Sequence, residues 1–393
     1  MTTIEVAQDF AKEGKVTAAR KVPFFDYPQV FLGDEHQLTS IFVDVGRRGA
    51  FIQQRDLDTL EARLANYVGA KHVLGMANAT DALHLALRAA GIGPGDEVIF
   101  SSHTMVATAA AVHFAGGTPV PVECGADHLI DPAAVEDAIT SRTRAILPTQ
   151  LNGRTSDMDA LQSIAEKHQL LIIEDAAQAL GSKFKGRCAG TFGLAGCISF
   201  YPAKTLGCFG DGGCVFTNDS EMYRKLRLLR DHGRDESGDV QTWGLNSRLD
   251  NLQAAILNRK LDTYDQSIAR RRELATLYGR QLAGLPELVL PPSPDFDSDH
   301  FDVFQNYEVE ALCRDELQAH LKSHGVGTLI PWGGKAVHQF RGLGFAQRLP
   351  FTEALFPRVM MLPMNTFLSD DDVLYVCDTI RSFYGAERLA DAA

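Results

Sequence analysis

Three short stretches hold residues whose types and order could do chemistry. In IIEDAAQALG an apolar run over 170–173 leads into Glu174 and Asp175, with Gln178 three residues further on. A carboxylate at the buried end of a strand is costly to keep unless it meets a cation. Taken alone, Asp175 reads more simply as a helix N-cap. In SFYPAKTLGCFGDGG, Lys204 follows a strand pattern and precedes Gly207, Gly210, Gly212 and Gly213. An isolated loop lysine is usually solvated. This one lies among aromatic and small residues, where partial burial would lower its pKa and leave a free amine as nucleophile. The glycines let the backbone pass close to a bulky ligand. In GMANATDALHLAL, Asn78, Ala79 and Thr80 open an amphipathic helix. The first N–H groups of a helix lack internal acceptors. The turn is therefore either a plain capped start or an anion site with the Thr80 hydroxyl as an added donor.

The three stretches gain force together. Pyridoxal 5'-phosphate (PLP) needs an amine for its aldehyde, a carboxylate that keeps its ring nitrogen protonated, and donors for its phosphate. One chain supplies all three, each beside a strand end.

The elements that must position them follow from periodicity. Residues 56–68 place Leu57, Leu60, Leu64 and Tyr67 on one helical face, and a second helix starts near Asn78 with Ala82, Leu85 and Ala86 inward. A strand ends near Met76, and further strand patterns cover 97–100, 118–122, 145–148, 170–174, 196–201 and 213–217. Such alternation predicts an α/β fold: a large domain on a mostly parallel sheet, its faces covered by helices. Ligands collect at the carboxyl ends of such strands. After Asp219 the pattern turns helical to about residue 286. Pro286, Pro291, Pro292 and Pro294 then break it. The boundary is placed there, giving an N-terminal arm and large PLP-binding domain over 1–286 and a smaller C-terminal α/β domain over 287–393, with a loose tail after Arg388.

Composition narrows the function classes. The 393 residues carry a net charge of −12, which repels phosphate backbones and anionic membranes, so nucleic acid is not an expected partner. No stretch has the length and apolarity of a membrane span, and the segment MTTIEVAQDFAKEGKV lacks the layout of a signal peptide. The seven cysteines show no C-x-x-C spacing, so no metal is expected and reduced thiols in a cytoplasmic protein are.

The sequence resembles the DegT/DnrJ/EryC1/StrS family of sugar aminotransferases, within the fold type I PLP enzymes, from about residue 22 to 385. The stretches that carry the resemblance are GAKHVLGMANATDALHLAL, GDEVIFSSHTMVATAAAV, IIEDAAQALGSKFKG, SFYPAKTLGCFGDGG, LRDHGRD and GLNSRLDNLQAAIL. By this resemblance Lys204 matches the lysine that carries the cofactor as a Schiff base. Asp175 matches the partner of the pyridinium nitrogen, and Gln178 a donor to the phenolic oxygen. Ala79, Thr80 and Ser199 match phosphate ligands. His103 falls where a ring stacks on the cofactor; on its own it reads as a satisfied strand-end histidine. Asn246 matches an asparagine given to the phosphate by a neighbouring subunit, which implies a homodimer with shared sites. Arg248, Arg234, Trp332 and Lys335 are candidate substrate contacts. The implied reaction moves an amino group from L-glutamate to a keto-sugar, a nucleotide-linked 3-keto or 4-keto hexose. A cyclitol acceptor, and a non-catalytic regulatory role, stand as alternatives. A dehydratase reading is opposed by Lys204, because family members that dehydrate carry histidine there.

Three stretches depart from the family pattern. Asn78-Ala79-Thr80 replaces Ser-Gly-Thr, which alanine tolerates only outside the left-handed region. Asn152 stands where an aromatic often precedes a glycine. Ile330-Pro331-Trp332-Gly333-Gly334-Lys335 replaces a Tyr-Pro-x-Pro-x-His pattern. His232 and His338 carry no assigned role, and Trp243, like Trp332, either touches substrate or packs.

Overall fold

A computed structural model describes residues 20–387. The segment read for a signal peptide and the tail after Arg388 lie outside the described residues. Seven strands form the main sheet: β1 His72–Met76, β2 Glu97–Ser101, β3 Thr118–Val122, β4 Thr143–Leu147, β5 Leu171–Asp175, β6 Ala195–Ser199 and β7 Gly213–Thr217. Their spatial order is β1-β7-β6-β5-β4-β2-β3. All neighbours run parallel except β7, which is antiparallel to both β1 and β6.

The strands read as continuous apolar runs because helices cover both faces. All five residues of β2 and of β7 are buried. On one face the helix Ala79–Ala89 buries Ala82, Leu83, Leu85, Ala86 and Leu87 against Leu74, Phe100, Leu147 and Val215. On the other face Leu57, Leu60 and Leu64 pack with Ile198, Phe216 and Leu257. Each large apolar side chain so enclosed contributes about 1.5–3 kcal/mol, so the sheet that carries the site is rigid.

A second, three-stranded antiparallel sheet is built from Leu288–Val289, Tyr307–Ala311 and Val359–Leu362. The long helix Tyr264–Leu282 joins the two bodies. Tyr264 and Ile268 sit in the large core, while Leu274, Tyr278 and Leu282 sit in the second. Val22 also enters the second core, and its N–H donates to the Gly325 carbonyl (2.9 Å). The sequence boundary at 286 thus lies just before the first strand of the smaller sheet, yet the smaller core draws on residues from both sides of it.

The continuous helical pattern expected from Asp219 to about 286 is corrected. Helices Ser220–Arg230, Asn251–Leu261 and Tyr264–Leu282 are separated by an irregular loop over 231–250. Gly233 forces the break: at φ +75° its missing Cβ would lie 1.7 Å from the Thr242 oxygen, so the chain folds back on itself there.

Candidate active site

The carboxyl ends of β1, β5 and β6 meet at one edge of the sheet, and the register explains why. Gly213 at the start of β7 pairs with Met76 on one side and Ser199 on the other. Ser199 is thereby brought beside the turn that opens the Ala79–Ala89 helix. A Cβ on Gly213 would lie 2.6 Å from the Asn78 carbonyl carbon and 2.7 Å from the Ala79 nitrogen, so only glycine allows this approach. Asn78 caps the helix, its Oδ1 accepting the Asp81 N–H at 2.8 Å. Ala79 is the first helical residue and is not among the left-handed positions, so alanine fits there. The N–H groups of Ala79 and Thr80 belong to the first turn, which has no acceptors of its own and carries the positive end of the helix dipole. With the half-buried Thr80 and Ser199 hydroxyls they form an anion cradle.

Asp175 ends β5 and is 5% exposed. Its Oδ2 accepts the Thr108 hydroxyl at 2.7 Å, and its Oδ1 accepts the Ala177 N–H at 3.2 Å. Burial pushes its carboxyl above the usual carboxylate range, while the Thr108 bond, the Ala177 N–H and the Lys204 charge oppose that push. Glu174 has a different job. It is buried on the far face and accepts N–H groups of Gly190, Phe192 and Gly193 and the Gln150 amide, so it fixes the backbone rather than facing the site.

Lys204 lies in the turn after β6, its N–H donating to the Tyr201 carbonyl at 2.8 Å. Gln305, from the start of the smaller body, braces this turn on both sides. Its Oε1 accepts the Thr205 N–H (2.8 Å) and its Nε2 donates to the Ala203 carbonyl (2.9 Å). Burial brings the Lys204 amine down to about 8, with the Asp175 charge acting the other way. That value leaves a useful fraction of neutral amine near pH 7.

Gln178 is oriented by its neighbours. Its Oε1 accepts the Asn152 N–H at 2.8 Å and the Asn306 amide at 3.4 Å, which leaves its own NH2 to donate. Asn152 takes φ 56°, a left-handed angle that asparagine tolerates better than an aromatic residue. The departure at 152 therefore serves the backbone that holds Gln178. The residues present fit PLP: Lys204 for the aldehyde, Asp175 for the ring nitrogen, Gln178 for the phenolic oxygen, and Ala79, Thr80 and Ser199 for the phosphate.

His103 is not part of this group, and the stacking role expected for it is corrected. Its side chain is 0% exposed. Trp332, Phe356 and His128 pack against it edge-on at 5.1–5.6 Å, and its Nδ1 faces the His128 carbonyl at 3.1 Å. No face of the ring is open to a cofactor. Trp332 belongs to the same cluster, in a turn where Trp332, Gly333 and Gly334 are successively left-handed. That turn leaves Lys335 exposed. His338 is buried between the Ser102 hydroxyl (2.7 Å) and Glu353 (3.3 Å) and pins the same segment to β2.

Asn246, Arg234 and Arg248 gather elsewhere, in the 231–250 loop. Both arginines pair with Asp231, at 2.8 and 3.0 Å. Ser247 is buried and its carbonyl accepts the Ala77 N–H, whereas Asn246 is exposed. Trp243 is 88% exposed in the same loop. Sequence reading missed Thr108, Thr104, Thr149 and Gln305. The three threonine hydroxyls form a buried chain with 2.9 Å links that ends on Asp175. The only signal was the density of threonine in SSHTMVATA, which has no period of its own.

Comparison with known proteins agrees with this geometry. The model of the DegT/DnrJ/EryC1/StrS aminotransferase family matches residues 34–381. The dTDP-3-amino-3,4,6-trideoxy-alpha-D-glucose transaminase of Streptomyces venezuelae is 41% identical over 377 residues, 95% of this chain and 98% of that protein. A pleiotropic regulatory protein of Geobacillus stearothermophilus is 40% identical over 368 residues, 92% of this chain and 98% of that protein. Among solved structures, that of S. venezuelae DesV in complex with a ketimine intermediate superposes with a TM-score of 0.89 at 41% identity, covering 94% of this chain and all of that one.

Proposed function

The chain belongs to the DegT/DnrJ/EryC1/StrS aminotransferase family, and from that premise we propose that it is a PLP-dependent transaminase moving an amino group from L-glutamate to a nucleotide-linked keto-sugar in amino-sugar biosynthesis. The observation that carries the reading is a desolvated lysine amine, on Lys204 in the turn after β6, and a buried carboxylate, Asp175, at the end of the adjacent β5, each feeling the other's charge. The name of the S. venezuelae relative supports the sugar class.

PLP, when bound, supplies an electron sink for the carbon that loses or gains the amine. The chain's own residues do the rest. Asp175 would hold the proton on the ring nitrogen, and Thr108 and the Ala177 N–H orient that carboxylate and favour its charged form against burial. The Ala79–Ala89 helix terminus and Ser199 anchor the phosphate, so the ring cannot slide as the amine changes hands. Gln178 donates to the phenolic oxygen. Lys204 would hold the cofactor's aldehyde at rest and, once freed, its amine would serve as general base and acid, carrying a proton between the donor's α-carbon and the cofactor carbon on the other side of the shared nitrogen. The keto-sugar then receives the amine by the same steps in reverse.

In this reading two copies pair about a two-fold axis, Asn246 of each serves the other's phosphate, and the protein works in the cytoplasm. The large PLP-binding domain runs to residue 286 and the small domain from 287. Arg234, Arg248, Trp332 and Lys335 are the side chains offered to substrate. Of these, Lys335 has the free exposure to meet an anionic group, whereas both arginines are already committed to Asp231.

A regulatory role is the second reading, favoured by the printed name of the Geobacillus relative. One experiment separates the two. Purified protein saturated with PLP should show the visible band of a lysine-bound cofactor, lose it on addition of L-glutamate, and regain it with a nucleotide-linked keto-sugar. Lys204→Ala should abolish the cycle. A protein that binds PLP but never loses the band to any amino donor overturns the transaminase reading.

A further inference from the structure

Beneath the smaller body, His103 and His128 of the large body meet Glu308 and Glu310 of the Tyr307–Ala311 strand. The hydrogen bonds fix which nitrogen of each ring is available. His103 Nδ1 lies 3.1 Å from the His128 carbonyl, which can only accept, so Nδ1 carries the hydrogen and Nε2 bears a lone pair. That Nε2 is buried without a hydrogen-bond partner and points at Glu308 Oε1, 3.6 Å away. The second Glu308 oxygen, Oε2, is also buried without a partner. His128 turns Nε2 to Glu310 Oε1 (3.2 Å) and Nδ1 to Glu308 Oε1 (2.8 Å).

This is the arrangement a metal-ligating pair of histidines requires. Each ring donates its outer N–H to a carbonyl or carboxylate and aims its other nitrogen at a shared carboxylate. The three inner atoms lie within 4.8 Å of one another. Ligands of a tetrahedral zinc ion stand roughly 3.3 Å apart. The two histidine–carboxylate separations here, 2.8 and 3.6 Å, bracket that value, and side-chain rotation would close the remaining histidine–histidine gap within the 4.8 Å cluster. The backbone is set for the task as well, since His128 is held at φ 67° by a tight turn in which the Gly125 N–H donates to the Leu129 carbonyl. A cavity of about 60 Å³ adjoins the cluster, lined in part by His128, Asn152, Asn306 and Glu308. It has room for a water in an open coordination position, which needs only about 10–15 Å³.

We propose that His103 Nε2, His128 Nδ1 and the Glu308 carboxylate form a binding site for one divalent transition metal of the zinc class, bridging the two bodies of the chain. Two imidazoles and a carboxylate select zinc or cobalt over magnesium or calcium, which prefer all-oxygen shells. The ligands come from positions 103, 128 and 308, so no short sequence spacing announces the site, and the sequence-level expectation of no metal could not see it. The site does not depend on the transaminase reading. The metal replaces a proton at His128 Nδ1, and binding releases that proton.

The test uses the PLP-loaded protein after chelator treatment and dialysis. Zn²⁺ is titrated by calorimetry, and Co²⁺ by the visible ligand-field bands of a site with fewer than six ligands. One ion per chain and a rise in Tm with added Zn²⁺ are expected. Glu310→Gln, which removes the charge facing His128 Nε2 and the Glu310 ion pair with Arg358, should weaken binding roughly 10–100-fold. Glu308→Gln and His128→Asn should weaken it further. A crystal grown with Zn²⁺ should show anomalous scattering between His103, His128 and Glu308. Glu310 is itself buried, so the crystal, which needs no substitution, decides the matter even if the variants fail to fold. Absence of stoichiometric binding overturns the proposal. So does an affinity unchanged in Glu310→Gln and Glu308→Gln, or a scattering peak elsewhere, as at the His320–His324 pair.

Discussion

Thr108 offers the sharpest test of how the site keeps a buried carboxylate charged. Its hydroxyl donates to Asp175 Oδ2 at 2.7 Å, and the residue is 0% exposed. Thr108→Val keeps the shape and removes the donor, while Thr104 retains its 2.9 Å link to Thr149. A hydrogen bond to a charged group contributes about 1.5–3 kcal/mol, against about 0.5–1.5 for a neutral pair. The substitution should therefore cost about 2 kcal/mol when Asp175 is present and about 1 kcal/mol in an Asp175→Asn background. The difference, a coupling of about 1 kcal/mol, is roughly fivefold in an equilibrium constant. The sign with pH follows from the charged form. Burial already raises the Asp175 pKa, and losing a donor to the carboxylate raises it further. The charge-dependent part of the penalty is thus absent at acid pH, where the carboxyl is protonated in both proteins, and develops as pH rises through the raised value. The assay is the denaturation midpoint at fixed PLP, together with the PLP dissociation constant, for the four proteins of the cycle at two pH values. If Thr108→Val costs the same in both backgrounds to within ~0.3 kcal/mol, Thr108 does not act through the Asp175 charge and the reasoning fails.

Three further outcomes follow from the same geometry. Gly213→Ala drives a methyl group into the Asn78–Ala79 peptide, so it should destabilise by about 1–3 kcal/mol and weaken PLP more than it lowers Tm alone would explain; unchanged PLP affinity would remove the close approach from the account. Reloading of cofactor-free protein should accelerate about tenfold per pH unit up to about 8 and then level off, because only the neutral Lys204 amine attacks the aldehyde; a rate still climbing beyond pH 10 would show an unperturbed lysine. Mixing Lys204→Ala with Asn246→Asp chains should restore about a quarter of wild-type activity, since half the dimers are mixed and each holds one intact site. No recovery would mean that Asn246 serves its own chain, an arrangement the adjacent Ser247–Ala77 bond also permits sterically.

What the sequence made legible was whatever depends on local pattern. The apolar runs at 97–100 and 213–217 lie within β2 and β7 because a strand buried on both faces must be largely apolar, while 118–122 forms the half-buried edge strand β3. Asp175, Gln178 and Lys204 stood out because a polar residue directly after such a run is where a parallel sheet exposes its strand ends. The antiparallel direction of β7 was invisible, because a strand inside a sheet reads the same in either sense. Yet that direction brings Gly213 against Asn78 and so shapes the anion cradle. His103 shows the opposite failure. Its place in the chain, at the end of β2, is that of a site residue, but side-chain direction at a strand end is set by what packs there. Trp332 and Phe356, more than 200 residues away, enclose it on the side of Glu308 instead. The same long-range packing creates the unpartnered His103 Nε2 and Glu308 Oε2. Two buried polar atoms left unpaired beside one another carry a desolvation cost that a shared ligand would relieve. That cost is the argument for a ligand between them, and it arises only where the two bodies meet, where no local sequence pattern could have recorded it.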